Sequence, residues 1–566
     1  MKLLYKGIAL LLCCALCFSM TGCMAFSPLR LEKLFQTEPE APQSQSQPQP
    51  TQEKPVDLSQ LTYVPFDGDA FLRRLEAARS RTAESGCAAW LMQEYHEMAE
   101  ELKKAQTAYQ VSELLFYRDS TDTAAGDESA AAYAVYVDCA DAFGIWLGEL
   151  LESEYRQTYI NEVGADNALL YEDYSGMSER EKELTDREKE LTDEYTTVSQ
   201  REYEDNEALA RAAEPIYLQL VDVRKQLAEE CGCDSYAEYA YEMLYYRSYT
   251  PEDALRLEKY VKESIAPMYL DRCLMMDYDV YDAAESHAYT GEAAMLDALR
   301  TYLPQMDAAL GETLDRMLES SAYDIADSNT KYDMSCTVRL EEYDTPYIFS
   351  KPDTTCEPYA LDTLVHEFGH FYAMSTDPIY QTADGYLYTM GDLDVSEVNS
   401  TGLELLFMRY YPQLYGEDAD AVQQVILSDV LGNVVYGCVF DEFQQRVFAE
   451  QQLEPGMVSE ICHDVLTEYF GDVFYDDYAY YSWAAVMHNF EVPFYYFSYC
   501  MSALAALQLW QQGGEDPDGA LQTYLDLTSY GDSVDFVSLL RECGMRDVSD
   551  RTFLRSLTEE LEAVFS

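Results

Sequence analysis

The chain has 566 residues, 48% of them hydrophobic, with 37 Lys and Arg against 104 Asp and Glu, giving a formal net charge of −67. So much apolar material excludes global disorder. The charge excludes a nucleic-acid binder, which needs a basic face for phosphates, and docking on anionic lipid through basic residues. What remains is a large acidic globular protein of two to four domains, or one helical body with an accessory lobe. The acid reads as a solvated, self-repelling surface that suits a secreted protein.

The first segment reads as an address. Lys2 and Lys6 form a positive n-region and Gly7 to Phe18 a short apolar run, and Met20-Thr21-Gly22-Cys23 follows. This pattern resembles a bacterial lipobox with Met where Leu is usual. Residues 1–22 are expected to be cleaved and Cys23 lipidated, leaving an extracytoplasmic protein held to the cell membrane by its lipid alone. Gln36 to Asp57, rich in Pro, Gln, Ser and Glu, completes a disordered tether over 23–57. No later segment is apolar for a full membrane span. Among the eleven cysteines after Cys23 there is no CxxC pair. Most read as buried thiols, with Cys336–Cys356 the one candidate bridge to test.

The body reads as mostly helix. Apolar residues recur at three- and four-residue spacing from Leu61 to about Tyr246, as in Leu72, Leu75, Ala78 and Leu147, Leu150, Leu151. Arg180 to Asp186 repeats as Arg187 to Asp193, which predicts a charged, solvent-facing arm of antiparallel helix. A boundary near residue 200 separates an N-terminal helical lobe, 58–205, from 206–566. Strand-like alternation is confined to about Cys336–Leu340 and Pro346–Ser350, separated by the acidic turn Glu341 to Asp344.

The chemistry begins at His366-Glu367-Phe368-Gly369-His370, an HExxH motif inside the apolar-periodic stretch Leu361 to Met374. Residues i and i+4 share a helix face, so both imidazoles can point at one ion, and Glu367 projects beside them as a base for the attacking water. Zinc needs a third protein ligand and an open position. Ala373 and Thr376 stand where a metzincin would have its Gly and third His. Glu397 and Glu404 lie two helical turns apart on one face. One could bind metal while the other supports a ligand His, and spacing alone does not choose between them. Asp362, one turn before His366, could orient an imidazole.

Asp362 to His370 followed by Glu397-Val398-Asn399-Ser400-Thr401-Gly402-Leu403-Glu404 resembles the thimet oligopeptidase and oligoendopeptidase F family of zinc peptidases, gluzincin-like enzymes with a TLxHExGH helix and then an ExxSxxxE helix. Arg224 to Tyr241, Tyr249 to Asp253, Pro346 to Ile348 and Tyr524 to Met545 are similar to further segments of that family, so the resemblance covers about 206–566. It implies Glu397 as third zinc ligand, Glu404 as the supporting carboxylate and one Zn²⁺ per chain. It also implies a two-lobed helical zincin with a deep central channel and a small β-sheet next to the zinc helix. The family carries a Trp five residues before a His and then a PFYxYxY run. Here these are Trp483, His488 and Pro493 to Tyr499, with Tyr499 and Tyr496 as the phenols facing the scissile carbonyl and Phe497 replacing an expected Tyr.

The function expected from these parts is endopeptidase cleavage of oligopeptides at the outer face of the membrane. Glu367 activates water, and His488 and a tyrosine stabilise the oxyanion. The substrate backbone is expected to add to an edge strand at Pro346–Ser350. The alternative is a lipoprotein that binds peptides in the same channel without cutting them.

Overall fold

The structure is a computed structural model that describes residues 56–169, 171–172, 178–381, 387, 392–531 and 534–566. The leader, Cys23 and nearly all of the tether lie outside the described residues. The architecture is the expected one: mostly α, two-lobed, with a small sheet beside the HEFGH helix.

The N-terminal lobe is built from α1 (Gly68–Thr82), α2 (Ala88–Arg118) and α3 (Thr123–Glu152). Their apolar stripes close over a core of their own that includes Phe71, Leu75, Leu91, Tyr95, Phe143 and Trp146. The Trp146 indole N–H donates to Thr82 Oγ1 at 3.0 Å, so this large side chain buries no unpaired donor. By length and composition, α3 and a window within Leu393–Ala449 could cross a membrane. Here α3 packs against α1 and α2, and most of the second window is buried inside the body.

The heptad repeat lies in α4 (Glu179–Ser199), which starts at a reciprocal capping box between Ser178 and Glu181. It packs along α5 (Asn206–Glu230). The repeat's two leucines, Leu184 and Leu191, are buried in the main core while its Arg, Lys and most of its acids face water. The charged arm is therefore real, and it is fastened by one leucine per heptad.

The sheet has three strands, β1 (Tyr323–Asp324), β2 (Ser335–Leu340) and β3 (Thr345–Ser350), in the order β1-β3-β2. β2 and β3 are antiparallel with Cys336 opposite Phe349, and β1 pairs parallel with Ile348 and Phe349. The expectation of an edge strand at Pro346–Ser350 is thus corrected: β3 is central, and β2 is the edge. A two-residue strand has no alternation to read, so β1 is invisible in the sequence. The candidate Cys336–Cys356 bridge is also corrected, because Cys356 is a buried free thiol. The chain leaves the sheet after Ser350, and Cys356 stands at the N-cap of the next helix.

Four helices frame the chemistry: α6 (Glu357–Thr376), α7 (Leu393–Phe407), α8 (Ala419–Ala449) and α9 (Tyr496–Glu515). Pro358 in the first turn of α6 costs no hydrogen bond, since the N–H it lacks would be unpaired there. Asp392 caps α7, accepting from the Asp394 N–H at 3.0 Å. Every residue of α7 except Ser396 is buried, because α6 covers one side and α9 another.

Candidate active site

Gly369 sets the distance between α6 and α7. A Cβ there would stand 2.6 Å from the Asn399 carbonyl oxygen and 2.7 Å from Ser400 Cα, so only glycine lets the two backbones approach this closely. The close crossing places Glu397 of α7 against both imidazoles of α6. Its Oε2 is 3.6 Å from His366 Nε2 and 3.9 Å from His370 Nε2. Glu404, two turns further along α7, meets the other side of His366, with Oε2 3.2 Å from Nδ1. The ambiguity left by spacing has a geometric answer: Glu397 faces the Nε2 atoms, and Glu404 faces the Nδ1 of one ring.

One ligand atom each from His366, His370 and Glu397 can lie within 4.8 Å of one another. Two imidazoles and a carboxylate suit zinc, with room for a fourth, non-protein ligand. The electrostatics point the same way. Burial disfavours a charged His366, yet Glu404, Glu397 and Glu367 outweigh it and hold the imidazole up at about 9. The surrounding carboxylates thus favour a positive charge at this point. Burial and the neighbouring His366 push His370 well below the usual histidine range, leaving it a neutral donor.

Glu367 is turned toward the sheet, where the Thr337 hydroxyl on β2 donates to its carboxylate at 2.7 Å. Burial raises this carboxyl to about 7, against the opposing pull of His366 and Thr337. A base near neutrality is what water activation needs. Asp362 accepts from the Tyr411 hydroxyl at 3.3 Å, and burial together with Glu404 raises it well above the carboxylate range. Asp429 of α8 joins this acidic neighbourhood, pushed to about 7 by burial and Glu404.

His488 forms a second group with the tyrosines of α9. Its ring lies 4.5 Å from Tyr496 and 6.1 Å from Tyr499, both edge-on. Burial drives its pKa down to about 3, so it stays neutral, and its Nε2 has no hydrogen-bond partner among the described residues. The two groups are joined through helix packing, since α9 lies along α7, the helix of Glu397. Phe497, at the place of an expected Tyr, is fully buried against Tyr241 and Tyr249. The remaining histidines stay apart from both groups: His96 pairs with Glu162, His287 with Asp418, and His463 stacks on Tyr480.

Several residues that hold this arrangement show no local spacing that ties them to the site. Arg224, fully buried, pairs with Glu188 at 2.6 Å and donates to the carbonyls of Asn489 and Phe490 beside His488. Gln444 of α8 donates to Asn489 Oδ1 at 2.6 Å and accepts from the Phe494 N–H. Thr337 belongs to the same class. Each reaches a partner far away in sequence, so no local spacing betrays it.

Residues 316–559 match the model of peptidase family M3. The match, which covers less than half of the chain, supports a place in this family of zinc metallopeptidases. The match and the fold together support a metallopeptidase. Its fold is similar to that of PZ peptidase A in complex with an inhibitor (TM-score 0.72, 21% identity, covering 90% of this chain and 99% of that one). It is also similar to oligoendopeptidase-F from Enterococcus faecium (TM-score 0.53, 15% identity, 88% and 97%). Metallocarboxypeptidase 1 from Trypanosoma cruzi shares the fold too (TM-score 0.60, 14% identity, 83% and 98%). No curated protein sequence matches the chain.

Proposed function

We propose that this protein is a zinc endopeptidase that hydrolyses oligopeptides outside the cell, anchored by a lipid on Cys23. The observation that carries the reading is the meeting of His366, His370 and Glu397 on one point with Glu367 beside them. In this reading His366, His370 and Glu397 hold one Zn²⁺ per chain, and Glu404 fixes the ring of His366 through Nδ1. Zinc, when bound, supplies Lewis-acid polarisation of the scissile carbonyl and lowers the pKa of water.

The protein's own groups do the rest. Glu367 takes a proton from the attacking water and returns it to the nitrogen of the leaving amine. His488, neutral at physiological pH, and Tyr499 or Tyr496 donate to the oxygen that becomes negative as the carbon turns tetrahedral. The substrate backbone pairs with the outer edge of β2, the strand that carries Thr337. The name of oligoendopeptidase-F favours internal cleavage, and that of metallocarboxypeptidase 1 favours removal of C-terminal residues.

Product analysis by mass spectrometry on a set of oligopeptides of increasing length decides between them. Internal fragments are expected, and a ladder of single C-terminal losses would overturn the endopeptidase reading. For the anchor, Cys23→Ser should release the protein from membranes or leave it uncleaved. Recovery of the chain from cytosol with its first residue intact would end that part of the proposal.

A further inference from the structure

Arg247 is the residue that the reaction scheme leaves unused and that the structure places at the junction of its parts. Its side chain is completely buried, and so is that of Asp394, whose Oδ1 is 3.8 Å from Arg247 Nε. Asp394 stands one turn before Glu397 on α7. On its other side the guanidinium Nη2 donates to the Phe494 carbonyl at 2.9 Å and to Ser498 Oγ at 2.8 Å. Phe494 has φ of +66°, a left-handed conformation that is strained for a bulky residue. Such strain persists only where both backbone groups are held, and here Gln444 takes the N–H while Arg247 takes the carbonyl. The turn at Phe494 aims the chain into α9, and with it Tyr496 and Tyr499. Around the guanidinium, the rings of Tyr241, Tyr245 and Phe497 stand 4.4, 4.9 and 5.6 Å away. They fix its plane and leave it no route to solvent.

We propose that Arg247 is a positioning residue that locks the helix of Glu397 to the helix of Tyr496 and Tyr499, so that the zinc ligands and the oxyanion donors keep one mutual distance. The inference rests on the proposed role of His488 and the tyrosines as those donors. A rigid fork is needed, because Nη2 holds the Phe494 carbonyl and the Ser498 hydroxyl while Nε faces the Asp394 carboxylate of another helix. A lysine ammonium is a point charge and cannot span them.

Simple removal of Arg247 would strand the Asp394 charge in the core and could unfold the protein. The informative variants are therefore Arg247→Met combined with Asp394→Asn, and Arg247→Lys alone. They are compared with Tyr499→Phe and His488→Ala for zinc content, melting temperature, and kcat and KM on a fluorogenic peptide. The double variant should fold, keep its zinc and change KM less than about threefold, while kcat falls about a hundredfold, as expected for donors displaced by about 1 Å. Arg247→Lys should recover melting temperature without recovering kcat. Adding Tyr499→Phe to the double variant should cost little more, since the donor is already out of place. If kcat is kept in the double variant but lost in Tyr499→Phe and His488→Ala, the positioning role is wrong and the oxyanion assignment stands. If Tyr499→Phe and His488→Ala keep kcat, the oxyanion assignment itself fails, and the proposal with it.

Discussion

Replacing Gly369 by Ala tests whether the approach of α6 to α7 makes the metal site. The new Cβ would meet the Asn399 carbonyl oxygen at 2.6 Å and Ser400 Cα at 2.7 Å, both backbone atoms that cannot swing aside. Ordinary contact needs about 3.5 Å, so the helices must part by about 1 Å. Overpacking of this kind costs ~1–3 kcal/mol, and Ala in place of Gly within a helix returns ~1 kcal/mol. The net change in stability of the metal-free protein is thus about 0–2 kcal/mol, a few degrees in melting temperature at most. Zinc sites, in contrast, tolerate only about 0.2 Å in ligand distance. Gly369→Ala should therefore lose zinc affinity by about a hundredfold or more while staying folded. Chelator competition with a zinc-sensitive dye, run beside thermal melts of the metal-free protein, reads both quantities. Equal zinc affinity in variant and wild type would refute the claim that this crossing sets the site.

Glu397→Ala should abolish zinc binding and activity together, whereas Glu404→Ala should weaken zinc binding about 10–100-fold, as for loss of a supporting hydrogen bond; the reverse order in metal analysis would exchange their roles. Thr337→Val removes the donor that holds the Glu367 carboxyl down, so the acid limb of kcat/KM should move to higher pH in a pH–rate profile. Burial depresses the pKa of His488 to about 3, from the ordinary histidine value of 6.5. Above pH 6.5 neither state binds this proton; as pH falls the unfolded chain does so first, and the folded state is disfavoured progressively down to about 3. His488→Gln should consequently gain stability relative to wild type between pH 6.5 and 4, measured by denaturant melts, and a constant difference across that range would contradict a buried neutral imidazole.

The metal site was legible because its information is local. His366 and His370 are one helical turn apart, Glu397 and Glu404 two, and a periodicity of 3.6 makes each pair share a face before any packing is known. Gly369 between the histidines showed in the motif, but what it admits, the backbone of Asn399 and Ser400, is a property of two helices crossing. The hairpin of β2 and β3 was readable from alternation, while its place in the sheet depended on β1, two residues with nothing to alternate. Arg224, Arg247, Gln444 and Thr337 act on partners 30 to 266 residues away, the nearest being Thr337 with Glu367 and the farthest Arg224 with Phe490. A lone Arg or Gln in a helix-rich stretch looks the same whether it faces water or a strained backbone carbonyl. The family resemblance supplied His488 and the tyrosines, yet not the residues that hold them in place.

In the proposed mechanism Glu367 moves the proton while His366, His370 and Glu397 hold the metal, and Glu367→Gln tests this directly. Gln keeps the shape of the side chain and can still pair with Thr337, but it has no basicity. Zinc content, melting temperature and peptide affinity should match wild type, while the cleavage rate of a quenched fluorescent peptide falls by about a hundredfold or more. A variant with full zinc that cleaves within a few-fold of wild type would contradict the account, and so would a zinc-loaded wild-type protein with no turnover at all.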